Sequence, residues 1–206
     1  MSDARSNFIF NLIAPIYGLF FNSQRRKFKK IIALAEDKID LSDYQTVLDV
    51  GSGTGALCSV LAERGLEVTG VEVAAKMLEI AKRKTGDLSI CFMQADVLAG
   101  LPFTDKSFDL SFSSYVAHGM SQEDRLKMYA EMARLSKYKV IIHDYNDKRS
   151  LITSFVEKME GPNYPQFIAN AEIEMRECHT ELRDCFSKVE ILQVGKRANW
   201  YICTPR

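Results

Sequence analysis

Three glycines at alternate positions, directly behind an apolar run, constrain this chain more than any other feature. The run is 46–50 and the glycines are Gly51, Gly53 and Gly55, in the stretch TVLDVGSGTG. An extended run that ends in such a turn and continues into a helical pattern opens a βαβ unit whose backbone can lie against a ligand. Further segments of strand and helix character then alternate, as in a mostly parallel sheet. A helix is expected over 56–64, closed by Gly65, then a strand over 67–71 and a helix over 74–84. Strands follow over 89–93 and 108–113. A helix then starts behind the N-cap Ser121, with Asp124 in the capping-box position and Leu126, Tyr129, Ala130 and Ala133 on its buried side. A fifth strand is expected over 140–142. Helices over 148–160 and 166–186 surround GPNYP (161–165), and an antiparallel hairpin, 189–194 and 199–203, turns at Gly195.

The 206 residues suffice for one α/β domain with a full core. Lys plus Arg equals Asp plus Glu, 27 each, so no net field draws the chain to nucleic acid. Cys58, Cys91, Cys178, Cys185 and Cys203 are odd in number and lack CxxC spacing. That pattern reads as reduced thiols in the cytoplasm, with no disulfide frame and no metal site. Cys178 and Cys185 share one face of an expected helix and read as buried small apolar groups. The stretch FIFNLIAPIYGLFF (8–21) lacks a basic leader and a cleavage site, and Asn11, Pro15 and Gly18 interrupt it too early for a bilayer span. RRKFKK (25–30) reads first as a solvated helix face. Its alternative, beside 8–21, is an approach to a membrane surface or an anionic substrate.

The neighbours of the glycine loop narrow its ligand. Gly51, Gly53 and Ala56 fit the dinucleotide pattern G-x-G-x-x-G/A, and Glu72 follows at the spacing that pattern asks. Against an NAD-dependent oxidoreductase stands Asp49, two residues before the first glycine, where a carboxylate suits an amino group and repels a pyrophosphate. Gly55 adds a third alternating glycine, and Asp96 adds an acid behind the third strand. A ligand with a cationic amino-acid end, a ribose diol and an adenine accounts for all three acids. A P-loop is excluded because no Gly-Lys-Ser/Thr follows.

With these residues in view, the chain resembles the class I S-adenosylmethionine-dependent methyltransferases. VLDVGSGTG (47–55) is similar to their first motif, VTGVEVAAKMLEIAKRK (68–84) to the segment after it, and QADVLAGLPFTDKSFDLSFSSYVAHGM (94–120) to their third-strand acid and fourth strand. The resemblance covers about residues 13–146. It is nearest to the branch acting on small molecules and quinone precursors, although APIYG (14–18) has Gly18 where that branch carries an acid. It implies a Rossmann-like, doubly wound α/β fold: a seven-stranded, mostly parallel sheet with an antiparallel C-terminal hairpin and an N-terminal helical lid. The divisions would be a cap (1–44), a cofactor-binding core (45–146), a helical substrate-side insert (147–186) and the hairpin (187–206).

By resemblance and chemistry together, S-adenosylmethionine would lie along Gly51, Ser52, Gly53, Thr54 and Gly55, its carboxylate favoured by the positive end of the next helix. Asp49 would accept from its amino group and Glu72 from both ribose hydroxyls. Val73 and Val97 would hold the adenine and Asp96 its exocyclic amine. Ser113 and Ser114 would lie under the methionyl group, and Tyr17 would close over the donor. Methyl transfer is an in-line displacement that alignment can drive, so a base is needed only where the acceptor must lose a proton. His118 and His143, at the ends of strands four and five, are the candidates. Phe8, Tyr17, Phe20, Phe155, Tyr164 and Phe167 suggest an apolar or aromatic small-molecule acceptor, with core packing as the alternative. A non-catalytic cofactor-binding module and a protein methyltransferase are the remaining readings.

Overall fold

The computed structural model describes residues 3–146 and 180–206. A seven-stranded sheet runs in the order β3-β2-β1-β4-β5-β7-β6. Its strands are β1 (Thr46–Val50), β2 (Glu67–Glu72), β3 (Ile90–Gln94), β4 (Phe108–Ser114), β5 (Ser136–Tyr145), β6 (Lys188–Gly195) and β7 (Ala198–Thr204). The first five pair in parallel, and β7 lies antiparallel between β5 and β6. From β1 the chain winds outward to β2 and β3, then returns to β4 on the other side. The resulting switch point opens a crevice above the carboxyl ends of β1 and β4, where open α/β sheets take ligands.

Helices cover both faces because parallel strands are apolar on both. α3 (Ala56–Glu63) and α4 (Ala75–Lys84) make the right-handed crossovers on one face, and α5 (Gln122–Leu135) covers the other. Alternate residues of β1 feed the two sides: Val47 joins Leu57, Leu110, Phe112 and Trp200, while Leu48 and Val50 join Met128, Met132 and Tyr201. Phe112 and Trp200 meet edge to face, ring centroids 5.4 Å apart. Of the N-terminal helices, α2 (Phe21–Ala35) packs Ile31, Ile32 and Ala35 into the first of these cores. α1 (Asp3–Leu19) sets Ile13 and Ala14 against Ala74, Met77 and Ile80 of the α4 region.

Two local expectations shift. The buried face of α5 is Arg125, Met128, Tyr129, Met132 and Leu135; Ala130 is exposed, and Leu126 and Ala133 are only half-buried. The reason lies 56 residues away. The Arg125 guanidinium grips the Glu181 carboxylate at 2.8 and 2.9 Å and donates to the Met120 carbonyl at 2.8 Å, so a charge occupies a core position. The fifth strand is also far longer than 140–142, because β7 pairs with it from Val140 to Tyr145 and the polar residues before Val140 extend beside β4. Ser121 caps α5 as expected, its oxygen accepting from the Asp124 amide at 3.2 Å. The helices expected over 148–160 and most of 166–186, with Phe155, Tyr164, Phe167 and Cys178, lie outside the described residues; 180–185 is helical.

Candidate active site at the sheet switch point

The glycine loop turns sharply off β1. The Gly51 and Ser52 amides both donate to the Val71 carbonyl, at 2.9 and 3.0 Å. Gly51 has φ +72°, and a Cβ there would meet Val116 Cγ2 at 2.5 Å, so both backbone conformation and space demand glycine. Gly55, φ +79°, is the N-cap of α3, and its absent Cβ leaves room for Ala81 and Phe92, each 3.1 Å from where it would stand. The α3 amino end therefore faces the crevice without a side-chain cap, a positive pole suited to a carboxylate.

The acids meet this loop from both neighbouring strands. Asp49 is buried; one oxygen accepts from Cys58 Sγ at 3.0 Å, and Oδ1 has no partner among the described residues. Burial pushes its carboxyl up to about 7, opposed by the Cys58 contact and assisted by the nearby Glu72 charge. Ser52 Oγ is likewise buried and has no partner among the described residues. Glu72 receives the Gly53 and Ala74 amides at 3.0 Å on its two oxygens; burial raises its pKa against those bonds. Each carboxylate oxygen retains a further lone pair for a diol. Val73 and Asp96 are half-buried beyond it and Val97 is buried, while Asp96 Oδ1 takes the Leu98 amide at 2.9 Å. Thr54 is buried in the loop, and Tyr17 packs with Ala74 and Met77 just past Glu72. Orphaned acceptor atoms beside a bare helix amino end fit a ligand with an ammonium and a carboxylate on one carbon, which is the amino-acid end of S-adenosylmethionine.

A second cluster stands on the acceptor side. Asp144, wholly buried at the end of β5, takes the His118 amide at 3.2 Å and lies 2.9 Å from His118 Nδ1. Burial alone would raise Asp144, but His118 and the Tyr145 amide outweigh it and hold the carboxyl below its usual range. His143 points to the opposite face, as adjacent strand residues must. Its Nδ1 is 3.0 Å from Ser114 Oγ, and burial, with the Lys27 charge, pushes it down to about 3. It is a neutral, buried imidazole. Ser113 turns away as well, its hydroxyl 3.9 Å from Met128 Sδ. The two serines thus serve different faces.

Tyr115 binds the cluster together. Its ring lies 4.6 Å from that of His143, 5.1 Å from Tyr145 and 6.4 Å from His118, and Lys27 Nζ donates to its hydroxyl at 2.7 Å. Burial, then the Asp144 charge, raises the Tyr115 phenol, and burial lowers the Lys27 ammonium. Tyr115 takes φ +56°, a left-handed conformation costing an L residue about 1–2 kcal/mol, and its amide donates to the His143 carbonyl at 2.8 Å. RRKFKK was expected to be a solvated face, and half of it is engaged: Arg25 and Lys29 pair with Glu63, and Lys27 reaches Tyr115. Lys27, Tyr115 and the Asp144 contact to His118 escape a reading of the sequence. The one available signal was the aromatic spacing in SYVAHG beside HDY.

Known proteins resemble this chain in sequence and in fold. Residues 47–139 match the family described as Methyltransferase domain. The chain is 31% identical over 133 residues to demethylmenaquinone methyltransferase of Renibacterium salmoninarum, covering 63% of this chain and 53% of that protein. It is 39% identical over 110 residues to the enzyme of that name from Thermus thermophilus, covering 49% and 48%. The chain thus spans about half the length of these curated relatives. Among solved structures, a Methanococcus maripaludis chain aligns with TM-score 0.70 at 22% identity, over 94% of this chain and 92% of that one. Magnesium protoporphyrin IX methyltransferase of Synechocystis, with S-adenosylhomocysteine bound, aligns with TM-score 0.59 at 17% identity, over 88% and 83%. The strand order and its switch point define a Rossmann-like α/β domain. More closely, the chain is similar over residues 47–139 to this methyltransferase family, and it shares its fold with these solved methyltransferase structures.

Proposed function

We propose that this protein transfers the methyl group of S-adenosylmethionine to a small aromatic acceptor, leaving S-adenosylhomocysteine. The observation that carries this reading is the Val116 contact on Gly51, which brings the loop bearing Tyr115 and His118 directly onto the cofactor loop. When bound, the cofactor supplies an electrophilic methyl on a sulfonium. This chain supplies the rest.

Asp49 and the α3 amino end hold the amino-acid portion, with Ser52, Gly53 and Thr54 along it. Glu72 takes the ribose, and Val73, Asp96 and Val97 bound the adenine. Tyr17 shields the ribose side. On the acceptor side, the Asp144 carboxylate, 2.9 Å from His118 Nδ1, orients the imidazole whose Nε2 would take the acceptor's proton. Tyr115 and Tyr145 offer ring faces to an aromatic acceptor, and Lys27 places positive charge beside an anionic oxygen. His143, neutral and buried, positions Ser114. The relatives' name, demethylmenaquinone methyltransferase, supports a quinone-type ring as the acceptor class. The free cysteines Cys58, Cys91, Cys185 and Cys203 support a reducing compartment, the cytoplasm. No described helix is long and apolar enough to cross a membrane.

The test is calorimetric titration with S-adenosylhomocysteine and with NAD, followed by transfer of labelled methyl to a panel of reduced quinones, simple phenols and peptides. Binding of the adenosyl ligand with label on a phenolic ring is the expected result. Binding of NAD alone would return the oxidoreductase reading. Label on peptides would make it a protein methyltransferase, and binding without turnover a non-catalytic module.

A further inference from the structure

α1 is apolar on two opposite sides. Ile13, Ala14 and Tyr17 face α4, while Leu12, Ile16 and Leu19 point outward with Phe20 beside them. Leu12 is 67% exposed, Leu19 82% and Phe20 54%. A helix apolar all round is normally covered, and large exposed side chains gathered on one stripe mark a contact surface.

The charge around this stripe identifies what covers it. Residues 4–35 contain six basic side chains and no acid, in a chain whose charges otherwise balance at 27 of each sign. Three of the six are paired within the chain, Arg25 and Lys29 with Glu63 and Lys27 with Tyr115. Arg26 and Lys30 are exposed on the side of α2 opposite its buried Phe21, Ile31 and Ile32. α1 rests on α4 and α2 lies beside α3, and both crossover helices cover the same face of the sheet. The apolar stripe and the exposed Arg26 and Lys30 therefore belong to one side of the molecule.

We propose that this side docks on an anionic lipid surface, with Leu12, Ile16, Leu19 and Phe20 entering the interface and Arg26 and Lys30 meeting the headgroups. An amphipathic surface of this composition binds by apolar insertion plus attraction to anionic lipid. A second copy of the chain is a poorer occupant, because a two-fold contact would set the predominantly basic helices of both copies, with Asp3 as their one acid, against each other. Docking does not depend on the methyl-transfer reading.

The experiment is co-sedimentation of the full chain with vesicles of phosphatidylcholine containing about one-third phosphatidylserine, and with pure phosphatidylcholine vesicles. Binding to the anionic vesicles that weakens with salt is expected. Leu12→Gln with Leu19→Gln, and separately Arg26→Glu with Lys30→Glu, should each lower the partition coefficient by about tenfold. Unchanged thermal midpoint and S-adenosylhomocysteine affinity would show that the fold and cofactor site are intact in these variants. Absence of wild-type binding, equal binding to neutral vesicles, or variants that partition like wild type would overturn the proposal. So would a concentration-dependent dimer that L12Q/L19Q disperses while vesicles remain unbound.

Discussion

His118 Nδ1, in the short turn that follows β4, and the Asp144 carboxylate, at the end of the parallel neighbour β5, stand 2.9 Å apart. The carboxylate is fully buried and the imidazole is mostly covered but retains 15% exposure, so orientation is imposed from inside on a group with one edge open. A positioned base contributes about 10²–10⁴ in rate. His118→Gln should therefore lower kcat by about 10²-fold, and Asp144→Asn should do nearly as much, with S-adenosylhomocysteine affinity unchanged in both. Steady-state kinetics beside calorimetry checks this; full activity in H118Q would remove His118 from the chemistry.

Asp49 carries a pH signature. Its carboxyl is pushed up to about 7 in the free protein by burial, and a ligand ammonium would hold it ionised. Binding near pH 6.5 should then release a proton, and affinity should rise with pH up to about 7 and level off. Titration in buffers of different ionisation enthalpy measures the release. No buffer dependence, or an Asp49→Asn variant releasing as many protons, would contradict it.

Gly51 is constrained twice, and the two constraints separate. Gly51→Ala meets Val116 and also the positive φ. The double variant with Val116→Ala relieves only the clash, so part of the lost S-adenosylhomocysteine affinity should return while about 1–2 kcal/mol of backbone strain remains in stability. Chemical denaturation and calorimetry on both variants provide the comparison.

Arg125 and Glu181 form a buried ion pair, side chains 1% and 4% exposed. Arg125→Met leaves a buried, unpaired carboxylate and should cost about 3–5 kcal/mol. Adding Glu181→Leu removes that charge and should recover most of the loss. A double variant no more stable than R125M would show that the guanidinium's bond to the Met120 carbonyl matters more than charge balance.

Two buried groups tilt stability in opposite directions with pH. His143, folded pKa about 3 against 6.5 unfolded, binds its proton only on unfolding; its contribution is full above 6.5 and is lost as pH falls towards 3. Asp49, about 7 folded against 3.8 unfolded, is protonated more readily when folded, so its contribution is lost as pH rises from about 4 to 7. Between pH 4 and 6.5, Asp49→Asn should steepen the rise of stability with pH by about 1.4 kcal/mol per unit, and His143→Gln should lower the slope by a similar amount. Urea midpoints across that range decide it.

Much of the cofactor half was legible in the chain, because its signals are local. β1 matches its expected bounds residue for residue, α3 starts at Ala56, and the hairpin closes with β7 inserted between β5 and β6. The acceptor half was not. His118 and His143 were both visible as candidates, yet which one stays accessible depends on the burial that α2 and β7 impose on His143. Lys27 belongs to a charge run that looks solvated until α2 is laid beside the β4 loop.

By itself the sequence determined the winding, the glycine turn and the strand-end acids, since strand period, turn stereochemistry and capping act over a few residues at a time. Only the tertiary structure decided that Asp144 serves His118, that Arg125 is buried on Glu181, and that α1 presents a second apolar side outward. Each of these depends on groups brought together from distant parts of the chain, and burial, which sets their charge and pairing, does not exist until the chain has folded.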